Sequence, residues 1–99
     1  MREFEIRFLE SAENEFIALR DDSSKKAAFK AVHKSMKLMR SNIRHPSLNT
    51  HKYNEISGPK GEEIFESYAQ NNTPGAYRIF WYYGPSKGLI TIVAITPHP

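Results

Sequence analysis

The 99 residues contain no cysteine. That excludes disulfides and thiolate metal sites and leaves stability to a single apolar core. A chain without cysteine also fits the reducing cytoplasm, its expected location. No apolar run is long enough to span a membrane, and residues 1–10 alternate charged with apolar side chains, unlike a signal peptide. There are no repeats, low-complexity tracts or linkers, so residues 1–99 are expected to form one domain. Acid is missing too, over one long stretch: no aspartate or glutamate lies between Ser23 and Asn54, whereas Lys25, Lys26, Lys30, Lys34, Lys37, Arg40, Arg44 and Lys52 do. The formal net charge is only +3, because acids gather before that block and again at Glu55, Glu62, Glu63 and Glu66. A block of one sign is a field, and its natural partner is a polyanion.

What is present reads as an α+β pattern. Phe4, Ile6 and Phe8 alternate with Glu3, Glu5 and Arg7, the period of a half-buried strand. Ser11 is a candidate cap for a helix running to about Arg20, and residues 21–24 break it and cap a second one. In the second helix Phe29, Val32, Met36, Met39 and Ile43 recur at three- and four-residue steps as one apolar stripe. Lys26, Lys30, His33, Lys37, Arg40 and Arg44 follow the same rhythm on its flank, and His45-Pro46 should end the helix. Strands are expected over residues 53–57, 62–69, 76–83 and 89–96, with turns at 58–61 and 84–88 and a loop at 70–75. The last strand is nearly continuous in apolar and β-branched residues and reads as buried on both faces. The order strand, two helices, four strands predicts helices on one face of a mostly antiparallel sheet.

From residue 46 onward the sequence resembles the RelE/ParE toxin superfamily. The loop Pro46-Ser47-Leu48-Asn49, the strand Ala76-Tyr77-Arg78-Ile79-Phe80-Trp81, and the closing strand from Ile90 to His98 are similar to that family's loop, arginine strand and last strand. The resemblance implies a toxin held by a cognate antitoxin. It implies one of two activities: ribosome-dependent mRNA cleavage, or poisoning of DNA gyrase without catalysis. A nucleic-acid or ribosome-binding module that has lost catalysis is the remaining alternative. On the nuclease reading the RNA supplies its own nucleophile, the 2′-hydroxyl, so neither metal nor cofactor is implied. Arg78 would hold the scissile phosphate, since a guanidinium binds it in two-pronged fashion. His98 would act as general acid or base, and Lys60 would add positive charge. Tyr68, Tyr77, Tyr82 or Tyr83 would stack a base or assist proton transfer. Lys26, Lys30, Lys37, Arg40 and Arg44 would contact RNA.

Each of these residues also has a plainer reading. Arg78 can pair across strands with Glu66. His98, next to last in a Pro-His-Pro tail, can be inert, and Lys60 in its Gly-Pro-Lys-Gly turn can be merely solvated. His45 and His51 match no metal-ligand spacing and read as surface histidines. The sequence departs from the resemblance at two places. Glu62, Glu63 and Glu66 stand where nuclease members usually carry basic residues, although one carboxylate could serve as a general base. The given sequence also stops after the last strand, without the helix that follows it in some members.

Overall fold

A computed structural model describes residues 3–71 and 73–98. Asn72, in the expected loop, and Pro99, in the expected tail, lie outside the described residues, as do Met1 and Arg2. Within the described residues, β1 (Glu5–Phe8) leads into α1 (Glu10–Asp21) and α2 (Lys26–Ser41), followed by β2 (His51–Ser57), β3 (Glu63–Tyr68), β4 (Tyr77–Tyr83) and β5 (Leu89–Pro97). The sheet order is β1-β5-β4-β3-β2, with β1 parallel to β5 and every other pairing antiparallel. The α+β expectation holds: two helices carry the chain from β1 across a sheet face to β2 at the far edge, and three antiparallel pairings in succession return it to β5, which lies parallel beside β1.

The helices begin and end differently from the sequence reading. Leu9, not Ser11, is the N-cap of α1, and no side chain caps it. Asp22 caps instead a short 3-10 turn, Ser23–Lys25, accepting the Ser24 amide at 2.9 Å. The α2 helix stops at Ser41, where the Asn42 amide bonds to the Leu38 carbonyl; Arg44 therefore lies outside the helix. His45-Pro46 opens a second 3-10 turn rather than closing α2.

The expected stripe of α2 does face the sheet. Val32, Met36 and Met39 are buried against Ile79 and Trp81 of β4 and Ile90, Ile92 and Ile95 of β5, with Phe29 and Ile43 half-buried beside them. Each fully buried side chain of this size contributes roughly 1.5–3 kcal/mol relative to exposure. On β4 the core residues alternate with Arg78, Phe80 and Tyr82, which therefore face away from the helices.

β5 is an interior strand, yet its alternation breaks in the middle. Ile90 and Ile92 are core, and so is Ile95. The register supplies the reason: Phe80 pairs with Ala94 and Trp81 with Ile92, leaving Val93 as a bulge. The extra residue switches the parity of the strand, so Ala94, Thr96 and His98 point to the helix-free face. β1 ends at the same place, and the amide of Ile95 donates instead to the Glu15 carboxylate of α1 at 2.9 Å.

β3 is polar in sequence and partly exposed, yet Ile64, Glu66 and Ser67 are all inside. Ser67 satisfies the Trp81 indole, accepting its N–H at 2.8 Å, and shares a 2.7 Å hydroxyl contact with Thr50. Ser67→Ala strands that indole N–H in the core. The expected loss is about 1–3 kcal/mol, seen as a lower urea midpoint at unchanged slope.

Candidate functional site

The helix-free face carries a cleft of ≈ 380 Å³ lined by Tyr53, Glu55 and Ile56 of β2, Glu66 of β3, Arg78 and Phe80 of β4, Ala94, Thr96 and Pro97 of β5, and His98. Strand pairing assembles it. Glu66 is opposite Phe80, Tyr68 opposite Arg78, and Arg78 opposite Thr96. The ladder continues past β5, since the His98 amide donates to the Ala76 carbonyl at 2.7 Å. That bond fixes His98 at the Arg78 end of the cleft.

Arg78 is the centre of the site and is only 8% exposed. Its Nη1 donates to the Gln70 carbonyl at 2.6 Å, and its guanidinium lies 3.6 Å from the centroid of the Tyr68 ring. A cation over a ring face is held by the ring quadrupole, and the flat guanidinium suits this stacking. Its Nε stands 3.7 Å from Glu66 Oε2, near enough for ionic attraction but too far for a hydrogen bond. Among the described residues this buried Nε has no hydrogen-bond partner. A buried donor left open is costly, and here it borders a cleft.

Glu66 is 7% exposed, and its other oxygen, Oε1, lies 2.7 Å from His51 Nε2. The far side of that imidazole, Nδ1, is 2.8 Å from the Asn49 carbonyl. Asn49 has a left-handed backbone, φ 48°, at the end of the Pro46–Leu48 turn. Asparagine tolerates this region better than most residues. His51 is exposed, as the sequence reading expected, yet both of its ring nitrogens are bonded, one of them to the cleft carboxylate Glu66. Sequence reading missed it because Glu66 is fifteen positions away; only the β2–β3 register, which pairs His51 with Glu66, brings the two together.

Arg78 and His98 line the same cleft, and the expected pairing of Arg78 with Glu66 is present. Lys60 is elsewhere. It sits in the turn before Glu63, whereas Arg78 lies beside Tyr68 at the other end of β3, and it does not line the cleft. Of the tyrosines expected to assist, Tyr68 supports Arg78. Tyr82 is buried, Tyr77 lies 5.8 Å from Lys25 Nζ, and Tyr83 packs on Phe65 and Trp81. The tyrosine that does line the cleft is Tyr53, edge-on to Phe80 with ring centroids 4.8 Å apart.

The basic residues of α2 form a separate surface. Lys30, Lys37 and Arg40 line a groove along the helix together with His33, Lys34 and Glu3, and Arg40 is paired with Glu3 at 3.3 Å. Lys26 begins the helix, and Arg44 is exposed in the loop after it. Because α2 packs on one side of the sheet and the cleft opens on the other, none of these five residues lines the cleft. Among the described residues no group of three or more His, Asp or Glu could hold a metal ion, and no helix is long and apolar enough to cross a membrane.

No protein-family model matches the sequence, and no curated protein matches it either. Solved structures do match in shape. A chain of the archaeal RelE-RelB complex from Pyrococcus horikoshii superposes with a TM-score of 0.63 at 12% identity, over 95% of this chain and 93% of that one. The YoeB/ParE toxin from Agrobacterium tumefaciens gives 0.68 at 5% identity, over 96% and 99%. A chain of the YoeB dimer from Staphylococcus aureus gives 0.63 at 14% identity, over 98% and 99%. The fold is RelE/ParE-like along nearly the whole chain.

One wall of the cleft sets a tyrosine beside carboxylates. The Tyr53 hydroxyl is held above the ordinary phenol value by its hydrogen bond to Glu55, then by partial burial and the charges of Glu55 and Glu66. A raised value means the folded chain keeps this proton more tightly. The associated stabilisation is complete below the ordinary phenol value and is lost as pH rises through the raised one. Glu55→Gln should bring the Tyr53 titration back down, read as the ultraviolet difference between chains with tyrosine and with phenylalanine at this position.

Proposed function

We propose that this chain is the toxin of a type II toxin–antitoxin pair and acts as an endoribonuclease on ribosome-bound mRNA. The observation that carries this reading is the buried Arg78 guanidinium, its Nε unpaired, beside a buried carboxylate in a cleft that His98 also lines. Phosphodiester cleavage by a neighbouring 2′-hydroxyl needs three things: a base for that hydroxyl, positive charge on the phosphoryl oxygens, and an acid for the departing 5′-oxygen. Glu66 Oε2 takes the 2′-hydroxyl proton. Arg78 binds the phosphate and balances charge in the transition state. His98 gives a proton to the 5′-oxygen as the P–O5′ bond breaks and the 2′-O–P bond forms, leaving a 2′,3′-cyclic phosphate and a 5′-hydroxyl. The chemistry requires no metal, because the nucleophile belongs to the RNA. The sequence left open that one of Glu62, Glu63 and Glu66 serves as the base; of the three, Glu66 lines the cleft and takes that role in this reading. Lys60 has no part in bond cleavage on this reading.

The basic flank of α2, with Lys26, Lys30, Lys37, Arg40 and Arg44, takes the role of holding ribosomal RNA while the opposite face receives mRNA. The cytoplasm, where ribosomes are, is the corresponding location. A cognate antitoxin is the expected protein partner; one of the similar chains comes from a RelE-RelB complex.

The test is induced expression of the wild type, Arg78→Ala, Glu66→Gln and His98→Ala in bacterial cells, with primer extension on an abundant mRNA. New ends within coding frames are expected for the wild type. Each folded variant should lose about 10²- to 10⁴-fold in cleavage. Growth arrest with intact mRNA would overturn the nuclease and favour a toxin of the gyrase-inhibiting type. Separately, Lys30→Glu and Lys37→Glu should weaken ribosome association and flatten its dependence on salt, measured by co-sedimentation.

A further inference from the structure

Arg78 and Glu66 are oppositely charged, adjacent and buried, yet they are not hydrogen-bonded. The closest approach, Nε to Oε2, is 3.7 Å, and the guanidinium spends Nη1 on the Gln70 carbonyl instead. In a buried setting a carboxylate and a guanidinium ordinarily close to about 2.7–2.9 Å. Something holds them apart, and the adjoining contacts identify it. Glu66 Oε1 is engaged at 2.7 Å by His51 Nε2, and His51 is itself anchored through Nδ1 to the Asn49 carbonyl at 2.8 Å. From the other side, Tyr68 keeps the guanidinium stacked 3.6 Å from its ring centroid. The carboxylate is pulled toward β2 and the guanidinium is fixed on β4.

We propose that His51 is a latch that holds Glu66 away from Arg78 and so keeps Arg78 Nε open for a phosphodiester oxygen. This rests on the reading of the cleft as a phosphodiester site and deepens it. A carboxylate closed onto the guanidinium would block the phosphate clamp and consume the base in the same contact. The latch keeps both groups available at once. His51 does not line the cleft and acts only through Glu66, and it is a positioning residue.

The hydrogen count sets its pH behaviour. A carbonyl oxygen only accepts, so Nδ1 carries a hydrogen. The Nε2–Oε1 contact then needs one further proton, and held on the imidazole it leaves the Glu66 carboxylate free to act as the base. When that proton leaves, a nitrogen lone pair faces a carboxylate, and the carboxylate turns to Arg78. The other groups around Glu66 are Arg78 on β4, Tyr68 on β3, and Tyr53 and Glu55 on β2, with His98 after β5 lining the same cleft. His51→Gln keeps a donor toward Glu66 that does not titrate, which separates the latch from the effect of His98.

The experiment follows two signals in the full chain. The first is the Arg78 Nε–H resonance in nitrogen–proton NMR, assigned by its loss in Arg78→Lys. The second is affinity for a dinucleoside monophosphate that lacks the attacking 2′-hydroxyl, a diester whose single charge is constant with pH. In His51→Ala the resonance should move to a hydrogen-bonded position and affinity should fall roughly tenfold. His51→Ala combined with Glu66→Gln should restore affinity, because an amide cannot form the ion pair. His51→Gln should bind as the wild type does at low pH and, unlike it, keep that affinity as pH rises. A wild-type Nε–H already at the hydrogen-bonded position, or one that His51→Ala leaves in place, overturns the latch whatever the ligand result. If His51→Ala fails to fold, the comparison of His51→Gln with the wild type decides, and identical pH profiles overturn the latch. Diester binding that survives Arg78→Ala overturns the underlying site reading, and the latch falls with it.

Discussion

Everything distinctive about this molecule depends on the burial of Trp81 beneath α2. The indole is wholly enclosed, its N–H is satisfied by Ser67, and Ile79 accompanies it into the core. With those two residues fixed, the period of a strand leaves Arg78 and Phe80 no choice but the opposite face. A charged group is thereby placed in a largely buried position without entering the apolar core. It is covered by neighbouring strands, by Tyr68 and by the loop carbonyl of Gln70. The fold and the cleft are two sides of one strand.

Charge is distributed on the same plan. The helical layer carries most of the lysines, and the open sheet face carries a compact set of opposed charges, Arg78 with Glu66 and His51. These two kinds of electrostatics differ in character. The exposed helix flank acts at long range and weakens with salt. The cleft acts at contact distance, where low local polarity strengthens each interaction and makes geometry decisive.

Much of this was legible in the sequence, and the failures have physical causes. The α2 stripe and the aromatic β4 strand declared themselves because one period governs each along its length. The pairing of Arg78 with Glu66 was visible as a cross-strand possibility. Ser11 looked like a cap, but β1 hands over to α1 at Leu9, one turn being set by the strand rather than by a capping side chain. The α2 helix was expected to run on to Arg44 because Ile43 continues the apolar rhythm; it reaches the core from the loop instead. His51 was illegible, since its role comes from hairpin register and not from any local pattern. β5 read as buried on both faces from its continuous β-branched run, and Ile90, Thr91 and Ile92 are buried in succession; what the run did not reveal is the bulge at Val93.

That last irregularity, the bulge at Val93, bears on how relatives of this chain should be compared. Matches in shape here come with identities of 5–14%, so residues must be equated by position alone. Counting along the closing strand from its core isoleucines, as if it were unbroken, would assign His98 to the wrong face and equate it with a residue that never meets the cleft. A correspondence has to be counted forward from the Arg78–Thr96 pairing instead, which places His98 two positions on and on the cleft face. In structures of this fold, the residue equivalent in position to His98 can therefore be one place out of step in sequence.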